Sequence, residues 1–108
     1  MATIARDPQI LTLINVFTVD PAKQQKLVDT LLEATQQVMK RMPGFISASI
    51  HKSYDGTKVV NYAQWKSRQD FEAMTKNPEA IPHMKACAEL ARFDPILCEV
   101  ADSISVSE

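Results

Sequence analysis

The chain has 108 residues, a hydrophobic fraction of 45% and a formal net charge of −1. This length suffices for one domain with a packed core, and the near-neutral charge offers no basic surface to nucleic acid or to an anionic membrane. Residues 1–8 lack the apolar centre of a signal peptide and no apolar stretch is long enough to span a bilayer, so we expect a cytoplasmic protein with a single domain over 1–108 and tails at 1–8 and 104–108.

The first half of the chain predicts a strand, a helix and a second strand. Ile10 to Val19 is rich in β-branched and apolar residues, as strands are. Asp20-Pro21 begins the helix, because Asp caps well and Pro fits the first helical position. Pro43-Gly44 ends the helix, and the second strand spans Phe45 to Ser53. The apolar stripe of the helix consists of Leu27, Val28, Leu31, Val38, Met39 and Met42.

The second half predicts a hairpin, two helical segments and a last strand. An Asp-Gly turn leads into a third strand over Lys58 to Trp65. Ser67 to Asp70 resembles a capping box and begins a short helix. Asn77-Pro78 separates this helix from a second helical segment that runs to about Arg92. Pro95 to Val106 is the last predicted strand.

This order of elements predicts an α+β fold, the ferredoxin-like βαββαβ arrangement with a four-stranded antiparallel sheet. Its first and third strands are central, and both of their faces contain many apolar residues. Helices cover only one face, so the other face needs a second cover. A second copy of the sheet is the simplest cover. We therefore predict a homodimer joined through the face opposite the helices, with Ile14 and Val60 in the interface, although the pattern leaves open which face that is.

Familiar catalytic motifs are absent from the sequence. Two glycines are too few for a phosphate-binding loop. The two histidines, His51 and His83, do not have metal-ligand spacing. Cys87 and Cys98 also lack that spacing and are expected to be thiols rather than a disulfide. We therefore expect neither a metal nor an organic cofactor.

Polar and aromatic residues on the central strands are the best candidates for a site. Asn61 and Trp65 are four residues apart on one strand, so they point to the same face. Asn15 has matching parity on the neighbouring strand if the same face is used there. Two interpretations remain open from this spacing. Trp65 and Asn61 are core residues, or they line an apolar pocket with a few fixed hydrogen-bonding groups that suits a flat aromatic ligand.

Three segments give the chain a recognisable pattern: Met42-Pro43-Gly44-Phe45, Asp55-Gly56-Thr57 and Asn61-Tyr62-Ala63-Gln64-Trp65. This pattern resembles the antibiotic-biosynthesis-monooxygenase family, and especially its quinone-forming polyketide oxygenases. The resemblance spans roughly residues 10–74 and continues more loosely to the C terminus. It implies a ferredoxin-like subunit and a dimeric α+β barrel.

The resemblance also implies an activity. It is the oxidation by O₂ of a small aromatic or polyphenolic, anthrone-like substrate to a quinone, without a metal or organic cofactor. The substrate anion is then the reductant, and the protein binds it, orients it and stabilises its charge. Asn61 and Trp65 are the implied catalytic hydrogen-bond donors. The expected substrate-binding residues are Asn15, Phe17, Tyr62, Phe71, Met74 and His83.

Two alternatives to this activity stay open. Asn15 and His83 resemble the strand Asn and helical His of haem-degrading members, but their ring-distorting Trp corresponds to about Met74. The quinone-forming members have a Tyr where this chain has Phe71, and their helical Arg has only Lys85 nearby, so whether His83 or Lys85 takes part is undecided. A dimeric small-molecule-binding or stress-response module without turnover is the other alternative, because fold does not fix function.

Overall fold

A computed structural model describes residues 9–106 and shows a four-stranded antiparallel sheet with three α-helices. The strands are β1 (Leu11–Val19), β2 (Phe45–Lys52), β3 (Lys58–Trp65) and β4 (Ala91–Cys98), and the helices are α1 (Gln24–Gln37), α2 (Arg68–Thr75) and α3 (Ile81–Leu90). The strand order is β2-β3-β1-β4, which places β1 and β3 in the centre. The predicted ferredoxin-like fold is therefore confirmed.

The residues that were predicted to begin the helices form the expected capping hydrogen bonds. The Asp20 carboxylate accepts a hydrogen bond from the Ala22 N–H at 2.9 Å, and Pro21 opens a 3-10 turn that leads into α1. The Ser67 hydroxyl accepts from the Asp70 N–H at 3.1 Å and begins α2. These caps satisfy backbone donors that a helix leaves free at its first turn.

The last strand was predicted wrongly at both ends. It begins at Ala91, directly after α3, and not at Pro95. An edge strand has a single neighbour, so a proline whose missing N–H faces away from it removes no ladder bond, and Pro95 is tolerated within β4. The strand ends at Cys98, whose partner Thr12 is one residue from the start of β1, and residues 99–106 form no helix or strand.

Odd-numbered residues of β1 and β3 face the helices. They enter two hydrophobic clusters with residues from all three helices or their flanks. The even-numbered residues of these strands belong to neither cluster. Among them Ile14, Val16, Val60 and Tyr62 are half-buried, while Thr12 and Gln64 are buried and share a hydrogen bond of 3.0 Å. The sequence left open which residues of the central strands face the helices, and the structure shows that the odd-numbered ones do.

Two of the expected features lie partly outside the described residues. Residues 1–8, predicted as a tail, are not described, and of the tail 104–108 only 104–106 are. Within residues 9–106, no helix combines the length and the apolar character that crossing a bilayer requires.

Candidate active site

A cavity of about 220 Å³ lies between the helix-facing side of the sheet and the helices. Every strand and every helix contributes to its wall. Most of the wall is apolar, with aromatic rings, methionines and aliphatic side chains. Lining residues from the central strands are Leu13, Asn15, Phe17, Asn61, Ala63 and Trp65.

Two asparagine side chains face each other across the central strands at this wall. Asn15 of β1 and Asn61 of β3 are direct partners in the antiparallel register. The Oδ1 atom of each is buried and has no hydrogen-bond partner. A buried carbonyl without a partner lowers the free energy of unfolding by about 1–3 kcal/mol. Two of them in one apolar cavity are therefore unusual. Such orphaned groups are expected where a ligand completes the hydrogen bonds.

An amide side chain can bind a ligand group that donates a hydrogen bond or one that accepts it. Its oxygen accepts a hydrogen bond, for example from a phenol O–H, and its NH₂ group donates to an anion. The two ends are nearly equal in size, so a half-turn about the terminal bond exchanges them. Asn15 and Asn61 therefore suit a substrate oxygen that changes from a hydroxyl to an anion during a reaction.

Trp65 lines the cavity on the same strand as Asn61. It is only 2% exposed, and two aromatic rings hold it in edge-to-face contacts. The ring centroid of Phe45 lies 5.4 Å away at an interplanar angle of 87°, and that of Phe71 lies 6.4 Å away at 67°. Such contacts stabilise aromatic pairs by about 0.5–1.5 kcal/mol beyond area burial. The indole is consequently fixed in one orientation on the wall.

The cavity reaches the edge of the sheet at β4. Phe93 and Pro95 both line it, yet Phe93 is 52% exposed and Pro95 is also exposed. Phe93 stacks at a tilt on the buried Phe17, with ring centroids 6.1 Å apart. Trp65, at the C-terminal end of β3, is by contrast buried. Phe93 and Pro95 therefore form an exposed part of the cavity wall.

Helix α3 places two ionisable side chains on the wall. His83 and Cys87 are one turn apart and so share a face of the helix. His83 is half-buried. Burial raises the pKa of the Cys87 thiol from 9.0 to about 11, so it stays protonated at neutral pH. Lys85 is exposed and does not line the cavity.

The structure brings together all but one of the residues expected from the sequence. Asn15, Phe17, Phe71, Met74 and His83 line the cavity with Asn61 and Trp65. Tyr62 does not, because its even number places it on the opposite face of β3. Its neighbours in the register are Ile14 and Ser49. Tyr62 was predicted to bind the substrate because it belongs to the recognised run Asn61–Trp65. The alternation of side chains along a strand already places it on the face opposite Asn61 and Trp65.

Other wall residues were missed at the sequence level. Leu31, Ala34 and Thr35 of α1, Cys87 of α3, and Phe93 and Pro95 of β4 line the cavity as well. The helical residues carried no signal beyond an apolar stripe. Phe93 was missed because β4 was predicted to start too late. Within residues 9–106, no three His, Cys, Asp or Glu side chains are grouped as a metal ion would require.

Comparison with known proteins agrees with this fold. The profile of the family described as antibiotic biosynthesis monooxygenase matches residues 10–90. The chain belongs to this family, as its sequence pattern predicted.

Three similar proteins are monooxygenases or oxygenases of Streptomyces species. Tetracenomycin-F1 monooxygenase of Streptomyces glaucescens is 48% identical over 107 residues, which are 99% of this chain and 96% of that protein. A monooxygenase from the gene ActVA-Orf6 of Streptomyces coelicolor, solved in complex with nanaomycin D, is 33% identical with a TM-score of 0.83, covering 94% of this chain and 96% of that one. SnoaB of Streptomyces nogalater, a cofactor-independent oxygenase, has a TM-score of 0.73 at 24% identity, covers 89% of this chain and 97% of its own, and shows the shared fold.

Proposed function

We propose that this protein is a cofactor-independent monooxygenase that oxidises a small aromatic or polyphenolic, anthrone-like substrate with O₂ to a quinone. The observation that carries the proposal is the pair of unpartnered amide oxygens of Asn15 and Asn61 in an otherwise apolar cavity. The similarity to tetracenomycin-F1 monooxygenase over nearly the whole chain supports the reaction type.

The proposed chemistry places the reducing power in the substrate. A deprotonated phenol or enol gives one electron to O₂, and the resulting radical pair forms a C–O bond. The peroxide then loses water and leaves a carbonyl group. The protein's part is to hold the substrate flat against the sheet and to stabilise the anion by preorganised donors. Asn61 and the Trp65 indole are the proposed catalytic donors, and Asn15, Phe17, Phe71, Met74 and His83 are proposed to bind the substrate.

The size of the cavity favours a compact ligand. Pockets for drug-sized ligands usually have volumes of about 300–1,000 Å³, and this one has about 220 Å³. A three-ring phenol that is planar suits this space better than a haem does. The second candidate, a haem-binding relative, rests on Asn15 and His83 sharing the wall, and it lacks the helical Trp because Met74 stands there.

The homodimer is also a proposal. The even-numbered face of β1 and β3 has half-buried apolar residues, and no residue of that face belongs to a core cluster. A second copy packed on it would complete the cover that the helices give the other face.

Oxygen uptake tests the function directly. Purified protein is mixed with 1,8-dihydroxyanthrone in an oxygen electrode, and the quinone is followed by its visible absorbance. We expect uptake of one O₂ for each quinone formed, well above the rate in buffer, and a Soret band that stays the same as that of free haem when haem is titrated in. Stoichiometric haem binding together with uptake at the buffer rate would favour the haem-binding relative. Uptake at the buffer rate without haem binding would favour a module without turnover.

A further inference from the structure

The cavity wall contains very few groups that can accept a proton. Among the lining residues that belong to the described range 9–106, only His83 and Cys87 are titratable. None of the strands, α1 or α2 contributes a charged side chain to the wall. The proposed reaction nevertheless begins with removal of a proton from the substrate.

Unaided ionisation in this cavity is costly. A phenol has an ordinary pKa near 10, so at pH 7 only about one molecule in a thousand is ionised in water. An apolar wall disfavours the anion further, because desolvation raises the pKa of an acid. Hydrogen bonds from amides lower this cost but do not take up the proton. A base on the wall is therefore needed for fast turnover at neutral pH.

The two candidates, Cys87 and His83, differ in how well they can accept a proton from the substrate. Burial raises the pKa of the Cys87 thiol to about 11, so the thiolate is scarce at neutral pH and the thiol is a poor acceptor. An imidazole ordinarily changes its protonation between pH 5 and 8 and accepts a proton when neutral. His83 is also half-buried rather than enclosed, so the proton it takes up can pass to water.

From this placement we infer that His83 is the general base of the reaction that the preceding section proposes, on which the inference rests. The substrate O–H or activated C–H bond breaks, and its proton forms an N–H bond on the neutral imidazole. The substrate keeps the electron pair as an anion, which O₂ then oxidises. The imidazolium returns this proton to the distal peroxide oxygen and gives a hydroperoxide. The remaining C–H bond at the same carbon then breaks, its electron pair forms the second bond of the carbonyl group as the O–O bond breaks, and the departing hydroxide takes up that proton and leaves as water. The net change is one O₂ consumed, one carbonyl group formed and one water released, with the imidazole restored.

A pH profile separates this role from a structural one. The variant His83→Gln keeps a polar side chain of similar length but cannot accept a proton. We expect its kcat to fall about a hundredfold at pH 7, the ordinary contribution of a general base, with little change in KM. Between pH 6 and 9 the wild-type rate should change much less than that of the variant, because a base on the wall removes the need for prior ionisation of the substrate. The variant should instead gain about tenfold for each pH unit, because it depends on prior ionisation of the substrate, so the two rates converge near pH 9.

The other histidine supplies a matched control. His51 lies on β2, is exposed and does not line the cavity. His51→Gln should therefore show the wild-type profile with 1,8-dihydroxyanthrone. If His83→Gln does not fold, His83→Ala with added free imidazole replaces it, and its rate should rise with the concentration of neutral imidazole.

The outcomes distinguish the two proposals. Equal rates for wild type and His83→Gln at every pH would overturn the role of His83 while leaving the oxygenase intact. A loss by the same factor at every pH, or a folded His83→Ala that imidazole does not accelerate, would also overturn it. A wild-type protein that consumes no O₂ above the buffer rate would refute the oxygenase itself.

Discussion

The side-chain amide oxygens of Asn15 and Asn61, at the centre of the sheet, are buried and have no hydrogen-bond partner in the folded chain. Gln64, one residue before the end of β3, provides the contrast. Its buried amide donates to the Thr12 hydroxyl at 3.0 Å on the other face. Strand alternation thus sends one amide of β3 to a structural hydrogen bond and another, that of Asn61, to an open cavity.

This contrast predicts opposite stability effects for two alanine substitutions. Asn61→Ala removes a buried acceptor that has no partner, so the free energy of unfolding should stay within about 1 kcal/mol of wild type or rise. Gln64→Ala leaves the buried Thr12 hydroxyl without its donor and should lower it by about 1–3 kcal/mol. Urea unfolding measures both. A larger loss for Asn61→Ala than for Gln64→Ala would mean that the Asn61 amide is a structural group.

The indole of Trp65 has both a packing and a proposed donor role. Trp65→Phe keeps an aromatic ring beside Phe45 and Phe71 and removes the N–H. We expect turnover of an anthrone to fall about a hundredfold, the usual cost of losing one preorganised donor to a developing anion. Tyr62→Phe is the control, because that side chain lies on the other face of β3. If Trp65→Phe, still folded by circular dichroism, turns over at the wild-type rate, then the indole serves packing alone.

The buried thiol of α3 predicts a pH dependence of stability. Burial raises the pKa of Cys87 from 9.0 to about 11 in the folded chain. The stability that this shift contributes is fully present below pH 9 and is lost as pH rises towards 11, because the unfolded chain ionises first. The unfolding free energy of wild type minus that of Cys87→Ala should therefore be flat up to pH 9 and fall above it. A difference that stays constant to pH 11 would contradict the cause assigned to the shift.

At the scale of the elements, the link between α1 and β2 depends on one glycine. Gly44 has a φ of +86°, and a Cβ there would collide with the Asp70 side chain of α2. Its carbonyl accepts a hydrogen bond from the Lys66 N–H at 2.7 Å, which ties the start of β2 to the end of β3. The Phe45 ring that follows is therefore held against Trp65 by a constrained backbone.

Substitution of this glycine should be costly. Gly44→Ala combines a left-handed backbone, which costs a residue with a Cβ about 1–2 kcal/mol, with the collision at Asp70. Gly56→Ala is the matched control, since Gly56 has a φ of +83° but its nearest neighbour, Pro21, would be 3.2 Å from the new Cβ. Thermal unfolding should show a larger drop in Tm for Gly44→Ala. Equal drops would show that the collision with Asp70 is relieved without cost.

Most of the elements could be predicted because their signals are local. The Asp20 cap, the Asp-Gly turn and the strand from Lys58 to Trp65 depend on neighbours in sequence, and all three are where they were expected. The bounds of β4 depend on its partner, because Pro95 is acceptable only in an edge strand and the ladder stops one residue from the start of β1. Likewise, spacing placed Asn61 and Trp65 on one face, but only the register put Asn15 opposite Asn61.

At the scale of the whole molecule, the sheet has one face covered by helices and another on which Ile14, Val16 and Val60 are half-buried apolar residues. We expect a two-fold dimer through the even-numbered face, burying roughly 2,000 Å² or more in total. Ile14→Asp or Val60→Asp should dissociate it, because an unpaired charge at a buried interface is costly. Leu32→Asp, at an exposed apolar residue of α1, is the control and should leave it intact. Light scattering that finds the wild type monomeric at micromolar concentration would contradict the dimer.

The rate of oxygen uptake by wild type and Asn61→Ala on 1,8-dihydroxyanthrone tests the central claim, that the cavity between sheet and helices is an oxygenase site. Loss of one donor to the developing anion should slow uptake about a hundredfold, or about 3 kcal/mol in activation free energy, in a variant that is as stable as wild type. Rates that are equal in the two proteins, or a wild-type rate no faster than buffer, would contradict the account.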